Sequence, residues 1–296
     1  MKWKRIATLI VLLLIVGWAT DAAGKIGFSK REGPILAVVS AAMLDAETGE
    51  WVYRSDSREA LPPASMSKMM TEAVVLDDIR SGAIAWEDRV TVGDYAAGVG
   101  GAGMGLAAGQ AVTVRELFEA MAVHSANDAA VALAEHAAGT EAAFADRMNE
   151  KAREIGLSEA SYFANATGLS SRDLLGFPNA AADGETLMTA EDTAWLAKYL
   201  IEAYPELLKI TKKSAVEAGD SAGELATTNE MLPGQRFGTK GNEGMKTGYT
   251  ERAGYCFAGS TVVDGRRYIT VVMGAKTPEA RFEETKKLLD YAKVIA

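Results

Sequence analysis

Strand-like sequence sits at the two ends of this chain and is nearly missing from the middle, and no other feature limits the fold as much. Ile35 to Leu44 and Trp51 to Tyr53 read as two strands, with Asp45-Ala46-Glu47-Thr48-Gly49 as the turn between them. The β pattern returns at Met245 to Tyr249, Gly254 to Val263 and Arg267 to Ala275, the last two joined through an Asp264-Gly265 hairpin turn. Strands so far apart in sequence most simply share one antiparallel sheet, with the helix expected from Pro278 to Val294 packed on it. The block between them forms a mostly helical lobe. The expected class is α+β: an antiparallel sheet built from both chain ends and packed with helices, plus that lobe. A crevice between lobes is the default place for a site.

Within the helical block the punctuation is dense. Pro62 and Pro63 fix an extended approach and then a helix-compatible φ, so a helix is expected from about Ala64 to Ser81, stopped by Gly82. Met66, Met69, Met70, Ala73, Val74 and Leu76 make it apolar nearly all round, which marks a buried helix. Val90 to Val92 is a short extended piece, and Gly98 to Gly109 is too glycine-rich for regular structure. Thr113-Val114-Arg115-Glu116 is a capping box opening a helix to about Val123. After a break at His124-Ser125-Ala126, Asn127 or Asp128 caps a helix to Ala138, closed by Gly139. Further helices are expected over Thr140 to Ile155 and, behind a Thr189 cap, over 190–203, with a short one after Pro205. Residues 161–188 read as an ordered loop and 211–244 as mostly irregular.

The N-terminus stands apart. Lys2, Lys4 and Arg5 precede a charge-free run from Ile6 to Thr20, followed by Ala22-Ala23-Gly24. This is a positive n-region, an apolar h-region and small residues at a cleavage site. A helix over that run is about 22 Å long, short of a roughly 30 Å hydrocarbon core. Residues 1–24 are therefore read as a signal peptide or N-terminal anchor, 25–34 as a linker and 35–296 as the functional domain. The protein is expected to be exported, to the periplasm or cell surface, with membrane contact through 1–24 where that segment stays attached. Without residues 1–24 the 31 basic residues fall to 28 and the 40 acidic ones to 39, a balance of about −11. Such a chain, with no Lys/Arg cluster, is a poor nucleic-acid binder. Its one cysteine, Cys256, excludes an internal disulfide and reads as a buried small apolar residue. With His124 and His136 it cannot assemble a metal cluster, so no metal or cofactor is expected.

Three short stretches carry the chemistry. Ser65 and Lys68 stand three apart at a helix start, which puts a hydroxyl in reach of an amine. Ser125-Ala126-Asn127 occupies the break between two helices, and Lys246-Thr247-Gly248 lies on the first strand of the C-terminal group. Lys246 and Thr247 can offer a cation and a hydroxyl to an anionic group, and Gly248 lets another backbone approach an edge strand. In this order they match the S-x-x-K, S-x-N, K-T-G set of β-lactamases and penicillin-binding proteins.

From about residue 35 to 294 the chain resembles the penicillin-binding domain of low-molecular-mass penicillin-binding proteins, the serine D-alanyl-D-alanine carboxypeptidases. The stretches that carry the resemblance include 63–71, 125–135, Phe163-Ala164-Asn165-Ala166-Thr167-Gly168-Leu169, 244–250, and Arg281 with 284–289. The resemblance implies a β-lactamase/transpeptidase-like fold and a catalytic set of Ser65 as nucleophile, Lys68 as its general base and Ser125 as proton relay. It implies a substrate-binding set of Asn127, Lys246, Thr247, Gly248, Tyr249 and Arg281, with backbone N–H groups of Ser65 and Tyr249 as the oxyanion hole. The implied substrate is the peptidoglycan stem peptide, with β-lactam antibiotics as inhibitors.

The chain departs from the pattern in places. It stops about where the catalytic domain of such proteins ends, so a second all-β domain and a C-terminal membrane helix are not expected. Ala126 and Tyr249 stand where Gly and His are familiar, and the glycine patch 98–105 replaces a more structured rim loop. The alternatives are a D,D-endopeptidase of crosslinks, a β-lactamase, or a catalytically silent wall-binding module. No Glu-x-x-Leu-Asn stretch lies between 140 and 210, which disfavours the commonest β-lactamase type.

Overall fold

Hairpins from opposite ends of the chain close one sheet. The computed structural model describes residues 33–181, 184–217 and 223–295. The chain divides into two units after Pro34, and every element below belongs to the unit Ile35–Ala296. The expectations for residues 1–24 and for 25–32 lie outside the described residues. Strands β1 (Ser40–Asp45), β2 (Trp51–Ser55), β7 (Asn242–Thr250), β8 (Gly254–Val263) and β9 (Arg266–Ala275) form an antiparallel sheet in the order β2-β1-β9-β8-β7. The join between the two ends is β1 to β9, with Ala41 opposite Val272 and Ala42 opposite Val271.

Alternation along these strands splits the core in two. Ala41, Met43, Phe257 and Val272 face helix α8 (Ala280–Ile295) and bury against its Phe282, Leu288 and Leu289. Their neighbours Ala42, Leu44, Ala258, Val271 and Met273 point to the other face, into the large core shared with the helical lobe. There α6 (Ala190–Ala203), capped by Thr189 as expected, packs on β9 and β1. At the centre of the lobe α1 (Lys68–Ser81) is buried along most of its length and ends at Gly82 with φ +77°. Around it lie α3 (Val114–Glu119), α4 (Asn127–Ala138) and α5 (Glu141–Glu154).

The structure corrects several expectations. Ile35 to Val39 is not strand, because Ile35 is 94% exposed and Val39 46%, so this stretch lacks a second face to bury. The glycine-rich stretch is irregular from 99 to 109 as read, and only Gly98 falls in regular structure, at the end of a short helix that was not expected, α2 (Asp94–Gly98), with Tyr95 and Ala96 buried. In 211–244 a small hairpin of β5 (Ala215–Glu217) and β6 (Glu224–Ala226) was too short to leave a periodic signal. Neither Asn127 nor Asp128 is the cap of α4: that position is Ala126, with no side-chain cap bond, because both polar side chains are used elsewhere. The capping box at Thr113 forms as read, with the Thr113 hydroxyl accepting from Glu116 N at 3.2 Å and Glu116 Oε2 accepting from Thr113 N at 2.9 Å. Its helix then loosens into a π turn over Ala120–His124. Thr113→Ala removes the box and should cost about 1 kcal/mol, read as a lower urea midpoint with an unchanged far-UV circular dichroism spectrum.

Candidate active site

The turn that carries Ser65 is short and unusual. Ala64–Ser67 is a single 3-10 turn rather than the start of the α-helix, and Lys68 opens α1 directly after it. Ala64 holds φ +49°, a conformation that costs a non-glycine residue of order 1–3 kcal/mol. The turn leaves Ser65 half-exposed while Met66, Ser67 and Lys68 are buried.

Lys68 has no exposed surface, and its amine touches three oxygens: Ser65 Oγ at 2.9 Å, Asn127 Oδ1 at 2.7 Å and the Thr167 carbonyl at 2.8 Å. Burial first, then the charge of Lys246, pushes this amine well below the usual lysine range. A neutral amine has two N–H bonds and one lone pair. Asn127 Oδ1 and the Thr167 carbonyl can only accept, so they take both N–H bonds and leave the lone pair for the Ser65 hydroxyl. In its neutral form, which the lowered pKa favours, the amine therefore presents its lone pair to Ser65.

Each partner is itself fixed. Asn127 Nδ2 donates to the Gly100 carbonyl at 2.7 Å and its backbone N–H to the Ala102 carbonyl at 2.7 Å, so the amide oxygen must face Lys68. Asp128 collects the backbone N–H groups of Met104, Gly105 and Leu106, tying the glycine-rich loop to the start of α4. The Thr167 carbonyl is aimed by Asn165, whose Oδ1 accepts from Thr167 N, Thr167 Oγ1 and Gly168 N. Glu141, fully buried, accepts from Tyr95 OH, Ala166 N and Ala181 N and so pins the same loop.

The third stretch closes the site from the sheet. A Cβ on Gly248 would lie 2.5 Å from the Pro63 carbonyl, so the edge strand β7 presses directly on the Ser65 turn. Lys246 is 1% exposed and donates to the Thr247 carbonyl at 3.1 Å; burial lowers its pKa, and Arg281 adds to that effect. The Thr247 hydroxyl pairs with that of Thr228 at 2.6 Å, and Thr228 N donates to the Val123 carbonyl, which links β7 to the 125–127 turn. Arg281 is half-buried, its Nη1 3.4 Å from the Gly248 carbonyl and its guanidinium 5.6 Å from the Tyr255 ring, on which Tyr249 stacks. Ser125 has φ +71° and its backbone N–H donates to the Ala120 carbonyl, but its hydroxyl bonds no described residue, and it is not one of the three partners of Lys68. A cavity of roughly 700 Å³ opens between Gly100, whose carbonyl holds Asn127, and Leu169, Arg172 and Tyr249. Among the described residues no three His, Cys, Asp or Glu side chains gather as a metal site requires.

The structure therefore brings Lys68 into direct contact with Ser65 and Asn127 and packs β7, which carries Lys246, Thr247 and Gly248, against the same turn, with Arg281 beside the Gly248 carbonyl. Sequence reasoning missed Thr167, Glu141, Asp128 and Thr228. Asn165 and Gly168 flank the first of these and were the available signal, since Asn followed by Thr-Gly marks a tight turn.

Comparison with known proteins gives concordant findings. A family described as D-alanyl-D-alanine carboxypeptidase matches residues 29–277. The D-alanyl-D-alanine carboxypeptidase DacF of Bacillus subtilis is 34% identical over 98% of this chain, which spans 70% of that protein's length. Among solved structures, the peptidoglycan synthesis regulatory factor PBP3 of Streptococcus pneumoniae aligns with a TM-score of 0.82 at 36% identity, covering 88% of this chain and 74% of its own. Penicillin-binding protein D2 of Listeria monocytogenes, in its ampicillin-bound form, aligns at 0.74 and 31% identity over 89% of this chain and all of its own.

Gly168, at φ +76°, tests how tightly this arrangement is held. An added Cβ would lie 2.2 Å from the Ala64 carbonyl and 2.3 Å from Ser67 Oγ. Gly168→Ala should displace the Ser65 turn and slow acylation by a fluorescent penicillin on the order of 100-fold, with the fold retained by circular dichroism.

Proposed function

We propose that this chain, which belongs to the D-alanyl-D-alanine carboxypeptidase family, removes the terminal D-alanine of peptidoglycan stem peptides through an acyl-enzyme on Ser65. The observation that carries the reading is the buried Lys68 amine, lowered in pKa and 2.9 Å from Ser65 Oγ. Lys68 takes the Ser65 proton as Oγ attacks the carbonyl of the terminal D-Ala-D-Ala bond. The oxyanion forms against the backbone N–H groups of Ser65 and Tyr249, each such donor being worth about 2.7–4 kcal/mol in the transition state. Ser125 passes the proton to the amine of the departing D-alanine, and water then cleaves the ester.

The substrate side of the reading is Asn127, Lys246, Thr247, Gly248, Tyr249 and Arg281. Lys246 and the Thr247 hydroxyl meet the terminal carboxylate, with Arg281 adding positive charge behind them. Gly248 keeps β7 close to the nucleophile, and Asn127 holds the substrate peptide while its amide oxygen steadies Lys68. The same cation and hydroxyl suit the carboxylate of a penicillin, so β-lactams act as inhibitors that acylate Ser65. The site acts on the wall side of the membrane, with residues 1–24 as signal peptide or anchor, 25–34 as linker and 35–296 as the peptidase domain. No helix among the described residues is long and apolar enough to cross a membrane.

Two variants and one substrate pair test this. Ser65→Ala should abolish labelling by a fluorescent penicillin, and a covalent adduct that persists would remove Ser65 as nucleophile. Lys68→Ala should fold and acylate about 100- to 10,000-fold more slowly, the usual worth of a general base; an unchanged rate would remove Lys68 from that role. Incubation with a pentapeptide stem should release free D-alanine, whereas cleavage confined to a crosslinked dimer would make the enzyme an endopeptidase.

A further inference from the structure

One turn beyond Lys68 on α1 lies Glu72, 1% exposed. Its Oε1 is buried with no hydrogen-bond partner, and no cation lies within ion-pair distance of its carboxylate among the described residues. An ionised carboxylate in that state is costly unless positive charge stands nearby. Positive charge does. Lys68, four residues back, shares its helix face at about 5–6 Å between Cβ atoms. Lys246, on the strand that packs against the same turn, is 1% exposed and feels the Glu72 charge as strongly as any charge near it.

The other charged groups around the pair are committed or of the wrong sign. Asp128, on α4, is held by four backbone N–H groups, those of Met104, Gly105, Leu106 and Ala129. Glu141, on α5, is held by Tyr95 OH, Ala166 N and Ala181 N. Arg281, on α8, is a third cation and works against a charged Lys246. Of these three carboxylates, Glu72 is the one with no hydrogen-bond donor among the described residues. Burial raises its pKa and lowers that of Lys246, and each charge offsets the cost of the other.

The chemistry needs unequal lysines. Lys68 must be neutral to accept the Ser65 proton, and its three oxygen contacts suit that form. Lys246 must stay charged to hold a carboxylate, yet among the described residues only one acceptor, the Thr247 carbonyl, meets its amine. We propose that Glu72 is the counter-charge of this lysine pair, a positioning residue that keeps Lys246 protonated for the substrate carboxylate while Lys68 stands neutral. The proposal rests on the reading of Lys68 as base and Lys246 as carboxylate grip.

The test is the pH dependence of acylation of the full chain by benzylpenicillin, for the parent, Glu72→Gln and Glu72→Asp. In the parent the rate rises as Lys68 loses its proton and falls as Lys246 loses its own, giving a bell. Removing the Glu72 charge takes away an anion that favoured the protonated form of both amines. Both limbs of the Gln variant should therefore move to lower pH by about one pH unit. On the alkaline side a D-Ala-D-Ala peptide should show a raised KM with kcat largely kept. Glu72→Asp should restore much of the parent profile. A Gln profile of altered height with both limbs unmoved overturns the proposal, because a packing role alone would give that result. If the Gln variant does not fold, Glu72→Leu, which removes the charge without a buried amide, is read in the same way. Failure of the underlying reading looks different: Lys68→Ala would then acylate normally whatever stands at 72.

Discussion

The site depends on one arithmetic constraint: three oxygens surround the Lys68 amine, and a neutral amine has two hydrogens. If the lysine were charged, all three contacts would be donations and the Ser65 hydroxyl would face a proton it cannot transfer. Taking the ammonium out of water is expensive, and a second buried ammonium at Lys246 makes it more so. The lone pair is left for Ser65 because Asn127 and the Thr167 carbonyl can do nothing but accept. Burial and the contact with Ser65 therefore favour the same, neutral form of this amine.

That constraint explains why so much of the helical lobe is devoted to holding two oxygens. The Asn127 amide cannot flip without losing Gly100, and the glycine-rich loop that supplies Gly100 is itself tied down by Asp128. The Thr167 carbonyl cannot turn away while Asn165 grips three donors of its turn and Thr71 Oγ1 donates to the Ala166 carbonyl. Glycine is required at 168 for two reasons at once, a left-handed φ and a backbone that lies against Ala64. A loop that resembles a connector is in fact a wall of the base pocket.

Much of this was legible in the sequence because it rested on local chemistry. The capping box at Thr113, the Gly82 stop, the Asp264-Gly265 turn and the β-rich runs that become β8 and β9 are short-range signals, and they appear within a residue or two of where they were read. The Ser65–Lys68 contact follows from spacing on one turn. Long-range contacts left no such trace. Thr167 acts through its carbonyl, which every residue has, and Glu141 is an ordinary first-turn glutamate until the fold brings Ala166 and Ala181 to it. Asn127 and Asp128 misled in an instructive way. Their residue types suit a helix cap, but the fold had stronger uses for both side chains, and the cap was left to Ala126.

Backbone strain points to the same places by an independent route. Five non-glycine residues have positive φ among the described ones: Asp56 and Asp264 lie at a bend and a hairpin turn, where Asp tolerates it, and the other three, Ala64, Ser125 and Met245, hold +49°, +71° and +94°. Each of these three adjoins or belongs to one of the three motif stretches, on segments far apart in the chain. Left-handed conformations in such residues cost of order 1–3 kcal/mol each and persist only where surrounding contacts over-determine them. Here the contacts are visible: β7 presses through Gly248 on the turn after Ala64, the π turn and the Ala126 N–H to Ala120 carbonyl bond set Ser125, and a β-bulge beside Gly244 turns Met245. The strain aims side chains that regular structure would not. A continuous helix through Ser65 or Ser125 would put its hydroxyl on a regular helical row, and an unbulged β7 would shift the face on which Lys246 falls. The stability given up at these three residues is the cost of turning the chain, at each of the three motif stretches, out of the path that regular structure would take.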